Sequence, residues 1–183
     1  MRRIYFDTET SGFGKKDWIC QLAFIYESDD RVIAECSTLI RSDGRPMGKK
    51  AQEIHGIPAA IADLGLSQRD AIEFFFKYVQ LTELSVCHNF SFDARMITQI
   101  TGALGFLLEA NTFAARPHVC TMRESTEWCR LPKATGRGYK WPKLSELHQA
   151  LFNEDFSGAH DALADVKATR RCYHELRKRG IIE

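Results

Sequence analysis

Three β-rich runs stand in the first 40 residues: RRIYFDTET at 2–10, WICQLAFIY at 18–26 and VIAECSTLI at 32–40. Only the polar turn ESDDR separates the second from the third, so the spacing predicts a hairpin extended into a three-stranded meander. The rest of the chain is built differently. Two short apolar runs, LSVCH at 84–88 and HVCT at 118–121, alternate with segments of helical period. Strands first, then strands alternating with helices, predict an α/β sheet of mixed direction.

The helical segments are legible from caps and stripes. SQRDAIEFFFKYV at 67–79 opens with Ser67 and Asp70 in a capping-box arrangement and spaces Ala71, Phe74, Phe75, Tyr78 and Val79 along one face. FDARMITQITGAL at 92–104, TMRESTEWCRL at 121–131 and KLSELHQALF at 143–152 are also expected as helices. In HDALADVKATRRCYHELRKR at 160–179, Ala162, Val166, Thr169, Tyr173 and Leu176 form a stripe at spacings of four and three. No internal repeat, linker or low-complexity tract divides the 183 residues, which fit one domain.

Composition narrows the function classes. No apolar run approaches the about 20 residues of a membrane span. The N-terminus MRRIYFDTET lacks the apolar stretch of a secretory signal. Six cysteines at 20, 36, 87, 120, 129 and 172 include no CxxC pair and are read as reduced thiols of a cytoplasmic protein. The net charge is only +1, so any nucleic-acid contact must come from local basic patches.

The strand at 2–10 ends in two carboxylates. Ile4, Phe6 and Thr8 alternate with Tyr5, Asp7 and Glu9, so Asp7 and Glu9 leave the same face. HNFSFDARM places Asp93 after an apolar strand at the start of a helix, and HDALADV places Asp165 one turn into the last helix. In α/β sheets, sites form where neighbouring strands end. Each group also has a structural reading: a solvated strand end for the pair, a helix N-terminal acid for Asp93, a solvated helix position for Asp165. His160 precedes Asp165 by five residues, an offset of about 140° on an ideal helix. A helix capped by Asp161 instead leaves His160 in the preceding loop, free to lean over the same place.

Together and in this order, FDTETSG, HNFSFD and HDALAD resemble the motifs of the DnaQ-like (DEDDh) 3′→5′ exonuclease family, and the likeness spans residues 4 to about 176. Gln21, the EIHGI segment at 53–57 and KLSEL fit as softer features. The sister branch carries Tyr four residues before the last Asp; here that position is Asp161, and His160 stands five before, as in the His branch. The resemblance implies a ribonuclease H-like fold with a five-stranded mixed β-sheet flanked by helices, formed by a single exonuclease domain over 1–183.

It also implies catalytic Asp7, Glu9, Asp93, His160 and Asp165, the four carboxylates holding two Mg²⁺ or Mn²⁺ ions. Four converging carboxylates repel unless cations neutralise them, and oxygen ligands suit hard divalent metals. Two ions about 3.5–4 Å apart can stabilise the attacking and leaving oxygens of a phosphodiester. An imidazole, with an ordinary pKa near 6.5, suits proton removal from the attacking water.

Substrate contacts are expected from Thr10, Ser11 and Gly12 after the first motif, from His55, and from Asn89 and Phe90. Gly12 could serve only a turn and Phe90 only the core. RLPKATGRGYKWPK at 130–143 carries five basic residues, no acid, and interleaved Tyr139 and Trp141. Arg137, Lys140 and Trp141 are therefore candidates for a single-strand-binding loop. The preferred substrate is the 3′ end of single-stranded DNA. The rivals are an exoribonuclease, a proofreading subunit and an inactive nucleic-acid-binding scaffold. A polymerase partner remains open, although no docking tail follows the last helix.

Overall fold

β1 (Arg2–Thr10) runs through the middle of a five-stranded sheet of order β3-β2-β1-β4-β5. The structure is a computed structural model that describes residues 1–183, the side chains of Leu107 and Ala110 excepted. β2 (Ile19–Ser28) and β3 (Arg31–Leu39) form the expected antiparallel meander. β4 (Leu84–Cys87) and β5 (His118–Cys120) join in parallel on the other side of β1. Parallel neighbours need crossover connections, and helices supply them.

Among the described residues nine α-helices follow the chain: α1 (Lys49–His55), α2 (Ala59–Ala62), α3 (Gln68–Val79), α4 (Phe90–Ala103), α5 (Leu107–Thr112), α6 (Thr121–Glu124), α7 (Thr126–Cys129), α8 (Leu144–Phe152) and α9 (Ala162–Lys178). α3 and α4 cover one face of the sheet, where Ile4, Phe6, Leu22 and Phe24 meet Phe75, Phe76 and Ile97. α8 and α9 cover the other, where Tyr5, Ala23, Ile25 and Val86 meet Leu147, Val166, Tyr173 and Leu176. Burying one such side chain contributes about 1.5–3 kcal/mol, so these two layers hold the fold. They also fix what each residue of β1 faces. Tyr5 points toward α9, and Asp7 and Glu9 continue that alternation beyond the apolar layer.

Caps behave as the sequence suggests. Ser67 accepts from the Asp70 amide at the head of α3, and Asp161 accepts from the Ala164 amide at the head of α9. All five stripe residues of α9 are buried.

Three expectations change, and two short helices are added that the sequence did not announce. α4 begins at Phe90 rather than at 92, because Asn89 takes a left-handed conformation (φ 67°) and turns the chain directly into it. The 121–131 helix is two short pieces; Ser125 spends its hydroxyl on the Thr121 carbonyl (2.6 Å), a local bond that competes with the helical ladder. Phe74, placed on the buried stripe of α3, is 37% exposed, and Ile72 and Phe76 take the inward positions. α1 and α2 carry no sequence signal, since their caps, Gly48 and Pro58, offer no side-chain bond. Gly48 is required by close approach: its amide donates to the Ser11 carbonyl (3.0 Å), and a Cβ there would lie 2.4 Å from the same oxygen.

Candidate active site

The ladder between β1 and β4 ends at Tyr5 and Val86, so the last residues of β1 have no parallel neighbour. Asp93, on the first turn of α4, fills that position. Its Oδ1 accepts from the Thr8 amide (3.0 Å) and the Thr8 hydroxyl (2.6 Å), and its Oδ2 accepts from the Cys87 thiol (3.3 Å). Asp93 is therefore a buried carboxylate fixed by two segments, with Asp7 and Cys87 placing ligand-capable atoms within 4.8 Å of its own.

On the α9 side, Glu9, His160 and Asp165 bring such atoms within 4.8 Å of one another. A β-bulge between Glu9 and Thr10 marks this end of β1, a distortion common beside active sites. Gln21, opposite Glu9 in β2, locks the helix start in place. Its amide donates to Asp161 (3.0 Å), and its oxygen accepts from the Ala162 amide (3.2 Å). His160 is exposed and left-handed (φ 70°), and its amide donates to Asp165 Oδ2 (3.2 Å). A non-glycine residue held there carries strain, which persists where the surroundings enforce it. The expectation that Asp161 caps the helix and His160 leans in from the loop matches this geometry.

The electrostatics are those of uncompensated charge. Burial raises the Asp7 pKa well above the usual carboxylate range, and repulsion from Asp93, Asp165 and Glu9 adds to it. Burial, then the neighbouring Asp165 and Asp93, push Glu9 up to about 8. Asp165 is pushed up to about 6 by burial, despite its bond from His160. Burial also raises Asp93 above its ordinary value, although the Thr8 and Cys87 bonds oppose the shift. Among the described residues, no Lys or Arg forms an ion pair with any of the four. The donor set is oxygen plus one imidazole, and Cys87 stays a thiol because burial drives its pKa far up. Such a set fits hard divalent cations.

The chain matches the exonuclease family model of RNase T over residues 4–173. It belongs to the DnaQ-like family of 3′→5′ exonucleases. An uncharacterized exonuclease, CP81 of Escherichia phage 186, is 29% identical over 187 residues, covering 97% of this chain and 89% of that protein. E. coli exonuclease I, solved with a dA16 oligonucleotide, shares the fold with a TM-score of 0.80 at 18% identity. Exonuclease I from Methylocaldum szegediense does so with a TM-score of 0.74 at 21% identity. In both cases 97% of this chain is covered, but it spans only 41% and 40% of the length of those proteins.

The other site candidates separate. Thr10 and Ser11 are buried, and their hydroxyls serve the turn: Thr10 donates to the Gly12 carbonyl (2.9 Å), and Ser11 donates to Asp17 (2.9 Å) and accepts from the Trp18 amide (3.1 Å). Gly12 lies against the same Asp17, whose carboxylate would meet a Cβ at 2.7 Å. His55, half-buried at the end of α1, accepts from the Ile57 amide and lies 3.8 Å from the Cys20 sulfur. Asn89 turns the chain into α4.

Phe90 requires a correction. Expected against a terminal base, it is 4% exposed and packs on Phe6 and Phe113, because the first turn of α4 directs it into the core. In the basic loop, Arg137 and Trp141 are exposed, while Lys140 is ion-paired to Glu146. Arg123, on α6, sits 5.8 Å over the Trp141 ring. The sequence reading missed two local features of the first motif. Thr8, between the two carboxylates, holds Asp93 in place. Phe13, after Gly12, is 68% exposed and packs on Phe92. The periodicity of β1 placed Thr8 only on the face of Ile4 and Phe6, and an exposed aromatic in a turn leaves no periodic signal.

Proposed function

We propose that residues 1–183 form a single exonuclease domain that hydrolyses single-stranded DNA from its 3′ end and releases nucleoside 5′-monophosphates. One observation carries the reading: four carboxylates from three elements converge at the end of β1, with no Lys or Arg ion-paired to them among the described residues, beside an exposed histidine. Asp7, Glu9, Asp93 and Asp165 would hold the divalent cations, with Asp7 facing both groups. Two Mg²⁺ or Mn²⁺ ions bound there would supply Lewis acidity to the attacking water and to the leaving oxygen of the phosphodiester. Thr8 and Cys87 hold Asp93, and Gln21 holds the start of α9, so the ligands are set by strands and helices rather than by loops. His160 takes the proton from the attacking water.

Arg137 and Trp141 reach the strand as a phosphate contact and a stacking surface. Support for DNA comes from E. coli exonuclease I, whose fold matches and which binds a dA16 oligonucleotide. Six free thiols suit a reducing compartment such as the cytoplasm.

The test is digestion of 3′- and 5′-labelled DNA and RNA oligonucleotides in Mg²⁺, Mn²⁺ or EDTA. We expect 5′-labelled DNA to shorten stepwise and 3′-labelled DNA to give a labelled mononucleotide, both only with metal. Turnover of RNA alone would move the substrate to ribose. Turnover of neither would leave a binding scaffold.

A further inference from the structure

The His118 ring lies on the Phe90 ring at 3.8 Å and 3° between planes, with His118 exposed at the start of the edge strand β5. The buried Phe90 is anchored by Phe6 and Phe113, so it acts as a rigid backing that fixes the tilt of the histidine. Two adjoining hollows open beside this stack. One, about 510 Å³, is lined by Phe90, Ala94, Arg95, Thr98 and His118 among others. The other, about 130 Å³, continues past His118 and Cys120 to Arg123. Thr98 places its hydroxyl oxygen out of solvent in the wall of the larger hollow, with no hydrogen-bond partner in the protein.

The groove is continuous with the machinery already described. It starts on the turn of α4 that carries Asp93, and it ends at Arg123, which covers Trp141. An arginine stands at each end, and Glu124 is the one acid in the two linings. A flat ring with a free face, an apolar floor and flanking guanidinium groups match a nucleobase with phosphates on either side.

We infer that His118, backed by Phe90, is a stacking platform for the base of a nucleotide at least two positions to the 5′ side of the one being removed. This rests on the exonuclease reading for the direction of the strand. The platform lies beyond the last two nucleotides, so it acts on oligonucleotides long enough to reach it and not on a dinucleotide. Stacking reads no hydrogen-bonding edge, so the subsite accepts any base.

The experiment compares wild type, His118→Ala and His118→Phe on (dT)2 and (dT)12. Binding of 5′-fluorescein (dT)12 is measured in Ca²⁺ by anisotropy, and KM and kcat are measured in Mg²⁺ or Mn²⁺. We expect His118→Ala to weaken (dT)12 binding and raise its KM about tenfold, within the range for one lost base–aromatic stack. The kcat should hold, kinetics on (dT)2 should not change, and His118→Phe should recover most of the loss. Equal (dT)12 affinity for wild type and His118→Ala would overturn the platform. So would an equal defect on (dT)2, which would make His118 a support for Asp93 instead. If wild type cleaves nothing, the exonuclease reading falls, while the Ca²⁺ binding comparison still decides the platform.

Discussion

The sheet carries buried carboxylates at both ends, and it treats them in opposite ways. At one end Glu27, with a fully buried side chain, receives Arg3 (2.9 Å), the Tyr5 hydroxyl (2.9 Å), Arg170 (2.6 Å) and His174 (2.9 Å). Burial by itself would raise its pKa, but the bonds from His174, Arg170 and Tyr5 prevail and bring it down to about 2. At the other end, the same strand and the same helix supply Asp7, Glu9 and Asp165, where Glu9 is pushed up to about 8 and Asp165 to about 6. A buried charge that serves the fold is matched by the fold. One left without a partner costs stability unless a proton or a bound cation neutralises it.

The comparison breaks first on activity. Asp7→Ala and Asp165→Ala should each abolish metal-dependent turnover, and without metal both should melt no lower than wild type, because they remove repulsion. Near-normal cleavage by either variant would sink the metal assignment. His160→Ala should slow the maximal rate about 10²–10⁴-fold, the usual cost of losing a general base, with metal affinity nearly unchanged. Calorimetric titration with Mn²⁺ checks this; a large affinity loss would make His160 a ligand.

Glu27→Gln should do the reverse of Asp7→Ala. It takes the carboxylate from Arg170 and leaves Arg3 with Asp30 alone (2.7 Å), so it should cost up to about 3–5 kcal/mol in denaturant melts while the folded fraction still cleaves. Should it leave stability untouched, the paired end would not be structural.

A smaller effect sharpens the contrast in pH. Glu9 keeps a proton in the folded state that the unfolded chain releases near pH 4.3, so the folded state binds more protons and stability falls as pH rises toward 8. His88, pushed down to about 4 by burial, opposes this only below its unfolded value near 6.5. Metal-free wild type should therefore melt progressively lower between about pH 6.5 and 8.5, and Glu9→Gln should flatten that slope. Glu27 contributes nothing in this window, because its stabilisation is lost only as pH falls from about 4.3 toward 2.

The smallest expected change lies in the basic loop. Arg137→Ala should reduce the salt slope of single-strand binding by about 0.7, the value of one phosphate contact. Lys140→Ala should reduce it less, since Lys140 already has Glu146.

Much of this was legible in the chain. Caps and stripes are local physics: Ser67 and Asp161 close their helices, and the inward face of α9 repeats at its own period, so both could be read before any contact was known. The resemblance of FDTETSG, HNFSFD and HDALAD to a known family pointed in advance to the carboxylates and the histidine that the fold brings together. Where local cues were weak, reading failed. α1 and α2 are short and begin at Gly48 and Pro58, so neither period nor cap announced them. Phe90 and His118 lie 28 positions apart, and no pattern in either segment says that one ring will back the other.

By itself the sequence determined the order of the elements, the face of β1 from which Asp7 and Glu9 project, and the histidine placed just outside the last helix. Each follows from backbone geometry acting over a few residues. Only the tertiary structure decided which charges would be matched. Glu27 meets Arg3 and Arg170 because β1, β2 and α9 pack at that end, whereas the shortness of β4 leaves Asp93 to bond Thr8 at the other. Compensation depends on distances between segments far apart in the chain, and packing alone sets those distances.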